Sequence, residues 1–306
     1  MPKITKAIFQ NVEIPQMDCQ ILRNHKVKSY WAVVFQRFKK NKPAMLGVYL
    51  ILLIVIMVVF GPVLSHHSYS DQNLSAANLP PSPGYWFGTD HLGRDVFIRV
   101  LYGARISLAV GFFSSIINLT IGVVYGGVSG LIGGWVDNLM MRIVEMIYAI
   151  PLTLYVILLM VVFDAGLKNV FIAIGIVYWL ETARIVRGQV ISLKERDYVV
   201  AARSMGAGRF HILFKHLIPN CIGPVMVTMS FNIPAAIFTE AFLSFIGLGV
   251  SAPMASLGTL VNDALLSIWS YPWQVLFPSA AITVIILAFN LIGDGLKDAF
   301  DPRYYQ

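Results

Sequence analysis

The 306-residue chain is 57% apolar and only 13% charged, roughly half the charged share of a soluble domain. With a mean hydropathy of +0.70, this excludes an ordinary soluble fold and predicts a multi-spanning membrane protein, with lipid replacing water over most of the surface. The net charge of +7 does not point to nucleic acid, because the cations are grouped beside apolar segments.

In chain order, residues 1–43 form a basic tail. Nine of the 23 Lys/Arg lie in residues 1–42, and Ile4, Ile8, Phe9, Ile14 and Ile21 predict partial order there. No charged region, short apolar core and small-residue cleavage site stand in sequence, so a cleaved signal peptide is not expected. Cys19 and Cys221 are too far apart to suggest a disulfide framework or a metal site.

Apolar runs of about 20 residues predict six spans, at 44–64, 105–125, 139–163, 170–189, 222–248 and 274–296. Loop 65–104 follows the first span and leads to a core over 105–306. The loop's Pro80, Pro81 and Pro83 exclude an early helix, while residues 95–102 have helical spacing and predict an interfacial helix. His66 and His67 read as solvated loop residues.

Gly122, Gly126, Gly130 and Gly134 recur every four residues, a stripe that lets another backbone approach closely. Glu145, Glu181, Arg184 and Glu240 are ionisable groups within spans and should face protein or a water-filled path. For Glu240 two readings stand, a gate on a translocation path or a carboxyl satisfied by neighbouring hydroxyls or a subunit partner. Pro224 and Pro234, with Asn232 between them, allow bending in the fifth span.

Six crossings and the positive-inside rule place both termini in the cytoplasm, together with Arg142 and a basic insert over 190–220. On the insert, Tyr198, Ala201, Ala202 and Met205 fall on one helical face, with Arg196 and Arg203 towards another. A turn at Gly206 and Gly208 follows. Arg209 then opens a second piece in which Phe210, Leu213, Phe214 and Leu217 supply an apolar face, and Pro219 marks the start of the next span. Periodicity alone leaves partner docking and a lipid surface equally open.

Chemistry of other kinds is missing. No Gly-Lys dipeptide occurs, so no Walker A loop is present. The loose G-x-G-x-x-A at 247–252 follows a membrane span rather than a Rossmann strand. Neither G-x-S-x-G nor H-E-x-x-H is found, so catalysis by this chain is not expected.

The order Ala201-Ala202, then Gly206, then Leu217-Ile218-Pro219-Asn220 resembles the EAA loop of bacterial ABC-importer permeases, the element that docks on the ATPase subunit. Val200 stands where that loop usually has glutamate, which leaves a salt bridge at this position unsupported. The segments FGTDHLGRDVFIRVLYGARISL, DNLMMRIVEMIYAIP, EAFLSFIGLG and IGDGLKDAFDPR resemble the C-type permease of dipeptide, oligopeptide and nickel importers. This likeness runs from Tyr30 to Arg303. The long tail and AIFTEAFLSFIGLGV are most similar to oligopeptide permeases of Gram-positive bacteria.

The resemblance implies an all-α membrane protein with the type I ABC-importer permease fold and cytoplasmic coupling helices. It implies a bacterial cell membrane location and a homologous second permease. Two cytoplasmic ATPases that bind ATP and Mg, an extracytoplasmic peptide-binding protein and a peptide substrate complete the expected set, with lipid around it and no cofactor on this chain. Tyr198, Ala201, Ala202, Arg203, Met205, Gly206, Arg209, Phe210, Phe214 and Pro219 would carry ATPase coupling. Asn232 and Glu240 are the candidates for gate or pathway, and Gly122 and Gly126 for helix packing. A dipeptide or nickel permease, an ion-coupled secondary transporter and a scaffold without transport remain the alternatives.

Overall fold

The computed structural model describes residues 29–301 apart from His66, Asp164, Ala165, Ser251 and Ala252. Ile4, Ile8, Phe9, Ile14, Cys19, Ile21 and Arg303 lie outside the described residues.

Helix α1 (Tyr30–Lys40) and helix α2 (Lys42–Leu64) meet at Asn41, whose side-chain oxygen accepts from the Ala44 amide at 3.1 Å and caps α2. Asp95 caps α3 (Val96–Ile117), accepting from the Phe97 amide at 2.9 Å. After a π-type turn at Asn118–Gly122, α4 (Val123–Ile132) continues the same helix to a total of 37 residues. The predicted interfacial piece at 95–102 is therefore the beginning of the second span, which starts nine residues earlier than the apolar run suggested.

Helices α5 (Gly134–Tyr148) and α6 (Leu152–Val162) meet at a 76° bend, correcting the straight span expected at 139–163. Pro151 supplies the reason, since a residue before proline disfavours the helical region and Ile150 stands there. Tyr155 steadies the bend by donating its hydroxyl to the Ile147 carbonyl at 3.1 Å. The chain then runs through α7 (Leu167–Val177) and α8 (Trp179–Leu193), which together make a 27-residue span.

Helix α9 (Asp197–Ser204) comes next. The single turn α10 (Arg209–Ile212) passes through a π-type turn at Leu213–Leu217 into α11 (Ile218–Phe245), again 37 residues of continuous helix. Helix α12 (Leu257–Ala264) was not anticipated; α13 (Trp273–Phe300) ends the described fold.

The glycine stripe fixes how the second and fourth spans pack. A Cβ at Gly122 would fall 2.9 Å from the Trp179 carbonyl oxygen, and one at Gly126 would collide with the Ala183 carbonyl. One turn further, Gly130 faces the Arg187 carbonyl at 2.8 Å by the same measure. Equal steps of four on both helices mean that α4 and α8 run parallel. Parallel neighbours require the intervening chain to cross back, so the bent pair α5–α6 makes a crossing and the total is six. Gly134, by contrast, has open space around it.

These packings also sort the ends. Phe300 and Tyr30 both lie near Gly223, so the first and last described helices share an end with the start of α11. At the other end, the FGTDHLGRD segment is a polar knot around buried Asp90. Its carboxylate accepts from the Leu92 and Arg94 amides at 2.9 Å each, from Arg94 Nε at 2.7 Å and from Arg99 Nη1. Burial works to raise the Asp90 pKa, but the Arg94 amide and the two guanidinium groups outweigh it and hold the carboxyl below its usual range.

Candidate functional site

The basic insert is short and its apolar residues divide between two directions. Val199 of α9 turns inward onto a cluster with Val186, Val190, Ile212, Leu213, Leu217 and Cys221, and Ala202 is buried as well. Tyr198, Val200, Ala201, Arg203 and Met205 face out, and Met205 is 82% exposed. Ala202 is thus a packing residue and not part of the outward face expected for it. Tyr198 is only partly covered, and that burial raises its hydroxyl pKa.

The second piece corrects the expected single apolar face in the same way. Leu213 and Leu217 are fully buried, while Phe210 and Phe214 stand 61% and 54% exposed. Residues four apart share a helical face, so 213 with 217 and 210 with 214 form two stripes, one holding the insert to the bundle and one left open. Arg209 and Pro219 are exposed, and Pro219 sits in the first turn of α11, inside a continuous helix and not at a break.

Gly206 makes the turn between the pieces. Its φ is +86°, a conformation L side chains rarely adopt. The Ala207 amide donates to the Ala202 carbonyl at 3.1 Å and the Gly206 amide to Arg203 at 3.0 Å, the paired bonds of a Schellman termination. No other atom crowds the position, so only backbone conformation demands glycine there. The arrangement presents Tyr198, Val200, Met205, Phe210 and Phe214 on one rigid, uncovered knuckle.

The two pathway candidates are both buried in this chain. Glu240 is 0% exposed. Its carboxylate accepts from the Ser107 hydroxyl at 2.7 Å and the Ser244 hydroxyl at 2.8 Å. It ties α3 to α11, which is the geometry of the hydroxyl-satisfied reading. Asn232 is buried as well, and its amide nitrogen has no hydrogen-bond partner among the described residues.

The other charged groups singled out from the sequence, Glu145, Glu181 and Arg184, face outward. Glu145 pairs with Arg142 at 3.1 Å, and both are largely exposed. Glu181 is exposed near the middle of the α7–α8 span, and one turn later the Arg184 guanidinium sits 4.4 Å from the Tyr148 ring centroid. Tyr148 was not singled out from the sequence; its only signal was an aromatic beside the proline bend.

Sequence reasoning also missed the clamp between Asp137 and Arg187. Arg187 Nε and Nη2 donate to the two oxygens of Asp137 at 2.6 Å each, and Ser129 donates to the same carboxylate at 2.5 Å. This network joins α4, α5 and α8 immediately before the insert. Gly122 and Gly126 pack against α8 as described above.

Comparison with known proteins bears on this architecture. Residues 119–306 match the family described as binding-protein-dependent transport system inner membrane component. Residues 29–81 match the N-terminal TM domain of oligopeptide transport permease C. The oligopeptide transport system permease protein OppC of Bacillus subtilis is 46% identical over 303 residues, 99% of each chain. The dipeptide transport system permease protein DppC of the same organism is 50% identical over 276 residues, covering 90% of this chain and 86% of its own.

Among solved structures, a chain of the inward-facing MetNI methionine ABC transporter aligns with a TM-score of 0.55. The match spans 66% of this chain and 96% of that one at 17% identity, and it speaks for the fold alone. Full-length identity to permeases, a six-crossing helical fold and an uncovered knuckle at one end converge, and the chain belongs to the binding-protein-dependent transport system inner membrane components, the permease subunits of ABC importers.

Proposed function

We propose that this permease passes oligopeptides into the cell and that its knuckle over Tyr198–Phe214 receives the motion of an ATPase subunit. The observation that carries the coupling role is the exposure of the large side chains Tyr198, Val200, Met205, Phe210 and Phe214 on an insert held to the bundle by Val199, Ile212, Leu213 and Leu217. Large apolar side chains left exposed within one short segment are what a protein partner buries, and a few such anchors dominate binding energy. The peptide substrate is carried over from the OppC and DppC relatives.

In this reading the knuckle lies in the cytoplasm with both termini, and two ATPases bind and hydrolyse ATP with Mg. The chain itself is not catalytic. A second, homologous permease covers the face bearing Glu145, Tyr148, Glu181 and Arg184, and a peptide-binding protein delivers substrate at the opposite end. Charge near mid-span is costly against lipid, so this face forms part of a hydrated passage between the two permeases. Peptides share a backbone and differ in side chains, so a passage for many of them lacks tight side-chain pockets. Closure of the ATPases displaces α9 and α10 and, through the unbroken α10–α11 helix, shifts the passage between its two openings.

The test uses the complete transporter in vesicles, with uptake of defined peptides and ATP hydrolysis measured together. Met205→Glu with Phe210→Glu, and separately Gly206→Val, should lower peptide uptake at least tenfold while the subunit stays in the membrane. Unchanged uptake in both variants would overturn the coupling role. Uptake of nickel in place of peptides by the unaltered transporter would overturn the substrate assignment.

A further inference from the structure

Helix α1 contributes an apolar surface wider than the bundle covers. Val34 is buried, Phe38 packs near Gly295 and Tyr30 lies 6.5 Å from Phe300 between ring centroids. These residues, four apart, make the inward stripe, at whose outer end Tyr30 stays half exposed. Trp31 and Phe35, also four apart, flank it at 51% and 68% exposed, with one side of the Trp31 ring against Phe300 at 6.1 Å between centroids. Lys39, Ala32, Gln36 and Lys40 complete the outward arc.

Position says what meets that flank. Asn41 alone separates α1 from α2, a 23-residue helix that carries no charge beyond Lys42 and exposes Leu46, Tyr49, Leu52 and Leu53 along its length. The end of α1 is therefore held at the polar boundary of a lipid-facing span, the depth at which aromatic rings and lysines concentrate. Residues 29–49 contain no aspartate or glutamate. Among the described residues Lys39, Lys40 and Lys42 form no ion pair. The nearby carboxylates are Asp294, Asp298 and Asp301 at the end of α13, of which Asp298 accepts from Asn41 Nδ2 at 3.1 Å.

We propose that α1 is a membrane-surface helix, with Trp31 and Phe35 set into the bilayer boundary and Lys39, Lys40 and Lys42 binding the phosphates of anionic phospholipids. A cationic arc beside an aromatic flank, tied by one residue to a span, matches an anionic bilayer surface in both charge and depth. A protein partner would need complementary acidic contacts at this same boundary and would compete with lipid for the aromatic flank.

The complete transporter, with Cys19→Ser and Cys221→Ala, is labelled at Phe35→Cys with an environment-sensitive fluorophore. It is reconstituted in vesicles of phosphatidylcholine, or of phosphatidylcholine with phosphatidylglycerol. A nitroxide at the lipid headgroup should quench the probe. Phosphatidylglycerol should also lower quenching by neutral aqueous acrylamide about fivefold, the effect of roughly one lysine at an anionic surface. Lys39→Gln, Lys40→Gln and Lys42→Gln together should abolish that dependence, and the corresponding arginine variants should keep it.

Acrylamide quenching that ignores lipid composition overturns the proposal. So does a probe reached by neither quencher until the ATPases are stripped away, which would give the flank to a protein partner. Uptake is not read in this experiment, so its outcome is independent of the coupling role.

Discussion

Glu240 illustrates how a single buried group earns its place. Two serine hydroxyls meet its carboxylate and, among the described residues, no cation pairs with it. A glutamine side chain offers those hydroxyls both an acceptor and a donor, because serine can do either. Glu240→Gln should therefore leave the thermal midpoint of the purified assembly nearly unchanged. Glu240→Leu strands the hydroxyls inside the bundle and should cost about 1–3 kcal/mol, the usual penalty for unpaired buried polar groups. Equal melting of the leucine and wild-type proteins would contradict this role for the carboxyl. Gly126 is a different case, where what matters is the missing atom: any Cβ meets the Ala183 carbonyl, so the stripe is set by backbone approach.

At the level of elements, the Asp137–Arg187 clamp is the link between the bent span and the insert. Lys194, three residues before α9, adds a bond to the Gly130 carbonyl at 3.2 Å. Asp137→Asn keeps the shape and removes the charge, and should lower stability by about 1–3 kcal/mol, read as a drop of a few degrees in melting temperature. Exchanging the two residues, Asp137→Arg with Arg187→Asp, should recover part of it. A melting curve identical to wild type for Asp137→Asn would show that the clamp holds nothing. Hydropathy made the helical class and the position of the insert legible, because lipid forces long apolar runs. The 76° bend was not legible that way, since the run 139–163 stays apolar through it; the signal was the single Pro151. Nor could spacing tell Leu213 from Phe214, because both are apolar and only the packing against α4, where Leu213 lies over Gly127, decides which one is covered.

For the whole molecule, the outward face of Glu181 and Arg184 is decisive. A charge at the centre of a bilayer costs several kcal/mol even after local rearrangement, so this chain is incomplete without something polar over that face. A cysteine at Glu181→Cys, with Cys19 and Cys221 replaced, should react with a membrane-impermeant thiol reagent in the complete transporter. The rate should fall when a non-hydrolysable ATP analogue holds the ATPases closed. Reaction only with a lipid-soluble reagent would place the face against the bilayer and undo the passage.

The unbroken run Arg209–Phe245 has a further consequence. At 1.5 Å per residue its 37 residues measure about 55 Å. A swing of about 10° about the midpoint, with the helix turning as one body through Pro224 and Pro234, would carry each tip through about 5 Å, more than a water diameter. Small angular travel at the foot is enough to open or shut a slot at the crown.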